Sequence, residues 1–581
     1  MRNALQRWRT PLEALWSRSG FSVPLTGQVI VGICAVSLVF LAGADSASTA
    51  GYERFFVEAG YDSEARESVR AEQLFSSRHA RILVDSSYWS SLGEERKAQE
   101  RVALAALITE FDGRIYPLTR ELLGAEWNPG VDRDPRIVLL LTPMIEGTFG
   151  YARPFIDETR AEGSNEAEIV YVNARTLSSP RTKAELAASF AELIAYHERV
   201  IASGVPEAPW VLAMAASYAP TYLGYDTPFA DSKLANEAQV FLSSPSNSFL
   251  DWDGGKDDRA SASLFAHFIA GRYGAPFFQH LMRASQPGEQ ALTLALRLGS
   301  ARETFDSALS SWAIANSMNG ETADGSVYAY THPSLGFSRV RVVPEYRAPI
   351  GEGGASVSRF ALGPASAQWV RYTPRLLGSN GLNSLFLKIE GFDGADTNLS
   401  YIETAIDGTS RVQTLRLRDG VGEARVDLFG TYILSVVIVP TNTGSTQTTL
   451  QVEAYSRESD RTSAEGALPD GTLVRGNGSD NVFVIQGESR RWIQSPEIFT
   501  MYGHMRWEDV RQVPTSTLAW YRESFLVRAE GDKKVYETTP SGAKHWLNMS
   551  AGAFRQSGRQ WSDVFVINEK ELLWYADAQE R

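Results

Sequence analysis

The apolar residues of this chain change their spacing near residues 328–337, so no single kind of packed layer can hold both halves. Before that point Leu186, Phe190, Leu193, Ile194, His197, Val200 and Ile201 recur at three and four residues. This is the period of an amphipathic helix, here ending at Gly204 and Pro206. A second helix is expected from Trp210. It is so rich in small residues (Ala213, Ala215, Ala216, Ser217, Ala219) that another element can pack closely against it. Ile82–Val84 and Ile137–Leu141 read as buried strands, with a helix over Glu94–Ile115 and another from Ala260 to Tyr273, closed by Gly274. From Val340 onward the runs have period two: Gln368–Tyr372, Leu385–Ile389, Val412–Leu417, Tyr432–Val439 and Thr449–Ala454. Such short strands, separated by Gly, Asn and Asp, predict a β-sandwich over 338–457.

Beyond a polar linker at 458–470 the sequence repeats itself. Leu473-Val-Arg475 returns as Leu526-Val-Arg528, Arg491-Trp-Ile493 as His545-Trp-Leu547, Phe499 as Phe554, Trp507 as Trp561, Val510 as Val564, Leu518 as Leu572 and Tyr521 as Tyr575. Matches in large side chains at so regular an offset predict two copies of one small module, over 471–522 and 523–578. They resemble tandem repeats found at the ends of bacterial surface proteins. Their Trp and Arg residues suit stacking on sugars or wall polymers, but the first expectation is that these aromatics are the cores of modules too small to fold otherwise.

At the other end, residues 27–44 carry no charge and are long enough to span a bilayer as a helix. The leader before them has net charge +3, from Arg2, Arg7, Arg9 and Arg18 against Glu13. The positive-inside bias then leaves residues 1–46 as a cytoplasmic leader and anchor, and everything after Asp45 outside the membrane. Cleavage after Ala42-Gly-Ala44 as a signal peptide is the alternative, with secretion as its outcome. Residues 47–78 read as a tether. The one cysteine, Cys34, sits inside the apolar segment, which removes disulfides, Cys-ligated metal and Cys nucleophiles from the exported part. With a net charge of −13 overall and no basic run interleaved with aromatics, nucleic acid is not an expected partner.

Taken together, Ile137–Leu141, the loop and strand Ser164–Val172, the two helices of 184–218, Tyr222-Leu-Gly-Tyr225, Phe241–Ser248, Asp251-Trp-Asp253 and the helix after Ala260 resemble the hyicolysin-type metallopeptidases, which are gluzincins. The resemblance covers roughly residues 80–315 and implies a zincin-like α+β domain over 79–330. In that family His-Glu-x-x-His on one helix and a Glu on the next hold zinc and supply the general base. The positions that match are Ala188, Ser189, Glu192 and Ala213. Methyl groups cannot ligate zinc and a serine is a poor carboxylate substitute, so the resemblance implies a peptidase-like fold without catalytic residues, metal or cofactor.

A shifted register offers His197-Glu198, but position 201 is Ile, and no two of the seven histidines lie three to five residues apart. Asp251, Asp253, Asp257 and Asp258 invite a calcium reading. The spacing fails the EF-hand pattern, and helix capping by Asp257 or Asp258 is the simpler expectation. The expected molecule is therefore a multidomain α+β envelope protein: a membrane helix, a zincin-like domain, a β-sandwich and two repeat modules. Its expected role is non-catalytic binding of peptide or cell-envelope polymer. The alternatives are an active metallopeptidase with atypical ligands, built on Glu192, and a purely structural surface protein.

Overall fold

The computed structural model describes residues 52–578 apart from 300, 321–326, 337–338, 348–349, 351–354, 376–382, 392–396, 407, 416, 418–419, 459–467, 469 and 504. The membrane segment expected at 27–44 lies outside them, as does most of the linker expected at 458–470. Among the described residues no helix is long and apolar enough to cross a membrane.

The first sheet contains β1 (Glu53–Phe56), β2 (Ser68–Ser76), β3 (Ala80–Asp85), β4 (Ile137–Thr142), β5 (Gly150–Ala152) and β6 (Ile169–Asn173), in the order β1-β2-β3-β4-β6-β5. The central pairs β3–β4 and β4–β6 are parallel. Every residue of β4 is buried, the condition of a strand covered on both faces. Edge strand β5 runs antiparallel to β6. Around the sheet lie α1 (Ser86–Ser91), α2 (Glu94–Glu110), α3 (Tyr116–Leu123), α4 (Pro154–Asp157), α5 (Pro180–Tyr196), α6 (Pro209–Tyr222), α7 (Lys233–Ser243), α8 (Lys256–Tyr273), α9 (Pro276–Met282), α10 (Gly288–Leu298) and α11 (Phe305–Met318).

The tether expected over 47–78 is corrected: β1 and β2 lie within it and join the first sheet. Polar composition concealed a period-two pattern in which Val69 and Ala71 are buried beside exposed Arg70. Asn165 fixes β1 by bonding both the amide and the carbonyl of Phe56, at 2.8 and 2.9 Å. The helix expected to stop at Ile115 passes through a π turn at Phe111–Ile115 into α3, and ends at Gly124, whose φ of 123° suits glycine.

The next ten strands are β7 (Glu345–Tyr346), β8 (Ala355–Leu362), β9 (Ser366–Ala367), β10 (Val370–Tyr372), β11 (Asn383–Gly391), β12 (Thr397–Ala405), β13 (Ser410–Leu415), β14 (Val421–Val426), β15 (Ile433–Asn442) and β16 (Thr448–Glu458). They form two sheets, β13-β12-β15-β10-β7 with β9 on β15, and β14-β11-β16-β8. Val436, Ile438 and Tyr372 of the first share one core with Leu385, Leu387 and Ile389 of the second, as a sandwich requires. The sandwich is fused to the helical part. Trp369, Ile402, Val437 and Val439 belong to the helical core, and the Trp369 indole donates to the Ala313 carbonyl at 2.8 Å.

The repeated segments follow as β17 (Leu473–Gly476), β18 (Val482–Gln486), β19 (Ser489–Ile493), α12 (Pro496–Thr500), β20 (Arg511–Val513), α13 (Thr515–Ala519) and β21 (Arg522–Glu523), then β22 (Leu526–Ala529), β23 (Tyr536–Thr538), β24 (Ala543–Trp546), α14 (Ala551–Gln556), β25 (Phe565–Ile567), α15 (Glu569–Trp574) and β26 (Ala576–Asp577). The strand orders β20-β17-β18-β19-β21 and β25-β22-β23-β24-β26 are the same. Equivalent side chains nevertheless enter different cores. Leu473 of the first module packs with Val527 of the second, whereas Val474 and Leu526 each face a core within their own module. One face of the first sheet therefore rests on the opposite face of the second, a head-to-tail stack.

Candidate functional site

The Ser179 hydroxyl accepts from the Arg181 amide and Pro180 opens the first turn, so α5 starts one turn before its apolar stripe. Pro209 opens α6 in the same way. Helix α6 packs between α5 and α8 through the small residues noted in the sequence. Ala188 and Ser189 are buried on α5 and Ala213 is buried on α6. Glu192 supplies the one carboxylate among the four positions, and it faces Arg259 of α8 at 3.5 Å. That carboxylate raises the Arg259 guanidinium above its ordinary pKa despite the opposing effect of burial. Two turns earlier on α5, Glu185 meets Lys233 at 3.0 Å, and Lys233 also reaches Glu237 at 3.3 Å. Burial works against the Lys233 charge, but the two carboxylates outweigh it and raise its pKa. The Ser263 hydroxyl donates to Glu237 at 2.7 Å. Two methyl groups, a buried hydroxyl and a carboxylate already facing a guanidinium are not a zinc donor set.

The shifted-register pair has a structural task. His197 Nδ1 meets the Ala125 carbonyl at 2.7 Å, and Glu198 accepts from the Ala125 amide at 2.8 Å, so together they hold the loop after α3. His267 is buried. Its Nδ1 bonds the Ser263 carbonyl at 2.7 Å, which leaves Nε2 to accept from Thr221 at the same distance. Burial lowers its pKa to about 4. His332 approaches Asp226 at 3.5 Å with Nε2, while its Nδ1 accepts from the Ser334 amide. Among the described residues no group of three or more His, Cys, Asp or Glu is arranged to hold a metal ion.

The expected capping by Asp257 or Asp258 is corrected. Gly255 precedes α8 with no side-chain cap, and both aspartates lie in the first turn. Asp258 instead gathers the preceding loop, accepting from the Asp253 and Gly254 amides at 2.8 and 2.9 Å and from Asn247 at 2.6 Å. A carboxylate so placed organises its own loop, in which Asp253 in turn accepts from the Gly255 amide at 2.6 Å.

Beside α5 lies the open edge of the first sheet. The Phe149 carbonyl accepts from the Asn173 amide at 3.0 Å. By antiparallel alternation Tyr151 then faces Tyr171 across the ladder, while Gly150 and Ala152 turn their backbone groups away from β6. A Cβ on Gly150 would stand 2.7 Å from the Tyr171 carbonyl and 3.5 Å from Glu185 Cγ, so glycine lets the strand approach α5. Tyr61, Ile145, Phe155 and Ile156 are exposed around this strand, and the Tyr61 ring lies 4.9 Å from that of Tyr151. Sequence reasoning missed Arg259, Lys233 and Glu185. The one available signal was Lys233 and Glu237 at helical i,i+4 spacing.

In the modules, the repeated tryptophans divide. Trp492 packs against the first module's own core, whereas Trp546 is exposed beneath the Lys534 ammonium, 5.1 Å from its ring centroid. Trp507 and Trp561 are each about half exposed and stacked on Phe499 and Phe554.

No family model and no curated protein matches the chain. Solved structures similar to parts of it include the pre-peptidase C-terminal domain of a collagenase from Bacillus anthracis. That match has 8% identity and a TM-score of 0.15, and covers 20% of this chain and 97% of that one. A mitogen from Yersinia pseudotuberculosis matches at 10% identity and TM-score 0.15, over 20% of this chain and 98% of its own. A family 11 carbohydrate-binding module of a Clostridium thermocellum cellulase matches at 12% identity and TM-score 0.13, over 19% and 86%. The chain is a multidomain α+β protein with several β-sheets.

Proposed function

We propose that this is an exported, membrane-anchored, non-catalytic envelope protein whose zincin-like domain binds an extended peptide along β5. The observation that carries the reading is the Glu192–Arg259 pair at 3.5 Å. The carboxylate that the resemblance would offer to a metal is engaged by a guanidinium, and its neighbours at 188, 189 and 213 are buried without a ligating group suited to zinc. The backbone groups of Gly150 and Ala152 that turn away from β6 suit strand addition. The exposed Tyr61, Phe155 and Ile156 suit alternate side chains of such a peptide, and Lys233, Arg259, Glu185 and Glu192 suit a polar backbone beside it.

The test combines elemental analysis of the purified protein with a casein cleavage assay run with and without chelator, beside a fluorescence-polarisation screen of a random decapeptide library. Absence of stoichiometric zinc and of cleavage is expected, with saturable peptide binding that Ala152→Pro removes by deleting an edge donor. Chelator-sensitive cleavage would overturn the non-catalytic reading, and a full library without a binder would overturn the groove.

A further inference from the structure

We propose that the two C-terminal modules bind a linear polysaccharide by stacking pyranose rings on Trp507 and Trp561, independently of the groove beside β5. Each tryptophan opens a 3-10 turn, Trp507–Asp509 and Trp561–Asp563, just before an edge strand of its sheet, β20 in the first module and β25 in the second. Each lies flat on a phenylalanine, Trp507 on Phe499 at 4.1 Å and 12°, Trp561 on Phe554 at 4.3 Å and 25°. The phenylalanines are each 2% exposed, the tryptophans 52% and 46%. A ring covered on one face and still half exposed has its other face open. The phenylalanine behind it fixes the plane, so little ordering remains for a ligand to impose.

The same half-open geometry at two equivalent positions is not what filling a small core demands. Core positions of the repeat are buried in both copies, as with Leu473 and Leu526, Phe499 and Phe554, or Leu518 and Leu572. A second repeated tryptophan pair, Trp492 and Trp546, diverges in environment between the copies.

A pyranose with equatorial substituents presents an apolar C–H face that matches an indole, and hydroxyls at its rim that need donors and acceptors. The turns supply both. Gln560, Ser562 and Asp563 flank Trp561, and Arg506, Glu508 and Asp509 flank Trp507. Beside the second turn opens a cavity of about 560 Å³, lined among others by Arg522, Glu523, Glu537, Arg559, Gln560 and Asp563. Its guanidinium groups are paired with carboxylates, Arg559 with Glu537 at 2.8 Å and Arg522 with Asp563 at 3.3 Å. Internally neutralised donors and acceptors favour hydroxyl and amide substituents over a densely charged polymer.

The full chain is titrated with chitohexaose, a β-1,4-linked N-acetylglucosamine oligomer, by calorimetry and by tryptophan fluorescence, and sedimented with purified peptidoglycan. Saturable binding is expected to at least one of the two. Trp507→Ala and Trp561→Ala should each weaken it tenfold or more. Trp507→Phe and Trp561→Phe should lose less than fivefold, with Trp546→Ala unchanged. Thermal unfolding of the Phe variants, unchanged from the parent, separates a platform from a mere lid on the phenylalanine. Three outcomes would overturn the proposal: no saturable binding to either glycan, Ala variants that bind like the parent, or binding of a proline-rich peptide in place of glycan.

Discussion

Arg199 and Glu207 close a buried ion pair that holds the α5–α6 connection against the loop after α9. Arg199 Nε donates to Glu207 at 2.8 Å, and its terminal nitrogens bond the carbonyls of Met282, Ala284 and Gln286. The second Glu207 oxygen accepts from the Ala208 and Gly288 amides at 2.7 and 2.6 Å. Arg199→Met strands the carboxylate and three carbonyls, at an expected cost of roughly 3–5 kcal/mol. Urea unfolding followed by tryptophan fluorescence checks it; a loss under 1 kcal/mol would refute the assignment.

His267 and Glu168 set opposing pH dependences. Burial holds the folded pKa of His267 at about 4, below the ordinary 6.5. Stability from this group is full above 6.5 and falls as pH drops toward 4, by about 3 kcal/mol at the limit. Burial raises Glu168 to about 7, against the Val131 amide that bonds it. Its contribution is full below about 4.5 and is lost as pH rises toward 7. Between about pH 4.5 and 6.5 the two slopes cancel in part. In urea titrations across pH, His267→Gln should expose a fall in stability with rising pH, and Glu168→Gln a fall with acidification.

Glu158 is 2% exposed, and neither carboxylate oxygen has a hydrogen-bond partner. Burial, with the charges of Glu168 and Asp157, raises its pKa well above the usual carboxylate range. Glu158→Met removes a carboxyl group without a partner while keeping its volume. A gain of about 1–3 kcal/mol is expected, larger at pH 8 than at pH 5 because the buried carboxyl holds its proton in the fold while the unfolded chain loses it as pH rises. Equal gains at both pH values would sink the argument.

Glu571 bonds Arg491, Tyr502 and Tyr575 in the interface between the modules, Tyr575 at 3.0 Å. Glu571→Ala leaves Arg491 buried without its counter-ion. Limited proteolysis should then cut within 471–578 at least tenfold faster, and the modules should melt apart from the rest of the chain. Unchanged proteolysis would show that apolar packing alone joins them.

Helix period made α5 legible and strand alternation five of the sandwich strands, whereas β4, buried on both faces, showed as a continuous apolar run, and α6 and α8 showed as long runs of small and apolar residues. β1 and β2 were hidden because charged residues occupy their outward face and fill the composition. The sandwich strands β8, β12 and β14 lay hidden among polar alternations such as Ala355–Leu362. At the candidate positions the side-chain types of 188, 189, 192 and 213 were legible. The partner of Glu192 was not, since Arg259 comes to it from a helix 67 residues away in the chain. Repeat spacing located Trp507 and Trp561 but could not separate core from surface, which depends on the phenylalanine behind each ring.

The head-to-tail stack makes the two modules unequal partners. Arg491 of the first meets Glu571 of the second, and the two stand at different places of the repeat. His545 occupies the place of Arg491 in the second module, and Thr517 the place of Glu571 in the first. Each module holds one half of a single contact, so neither can be exchanged for the other, and lengthening the array by a further copy would require that contact to be built anew.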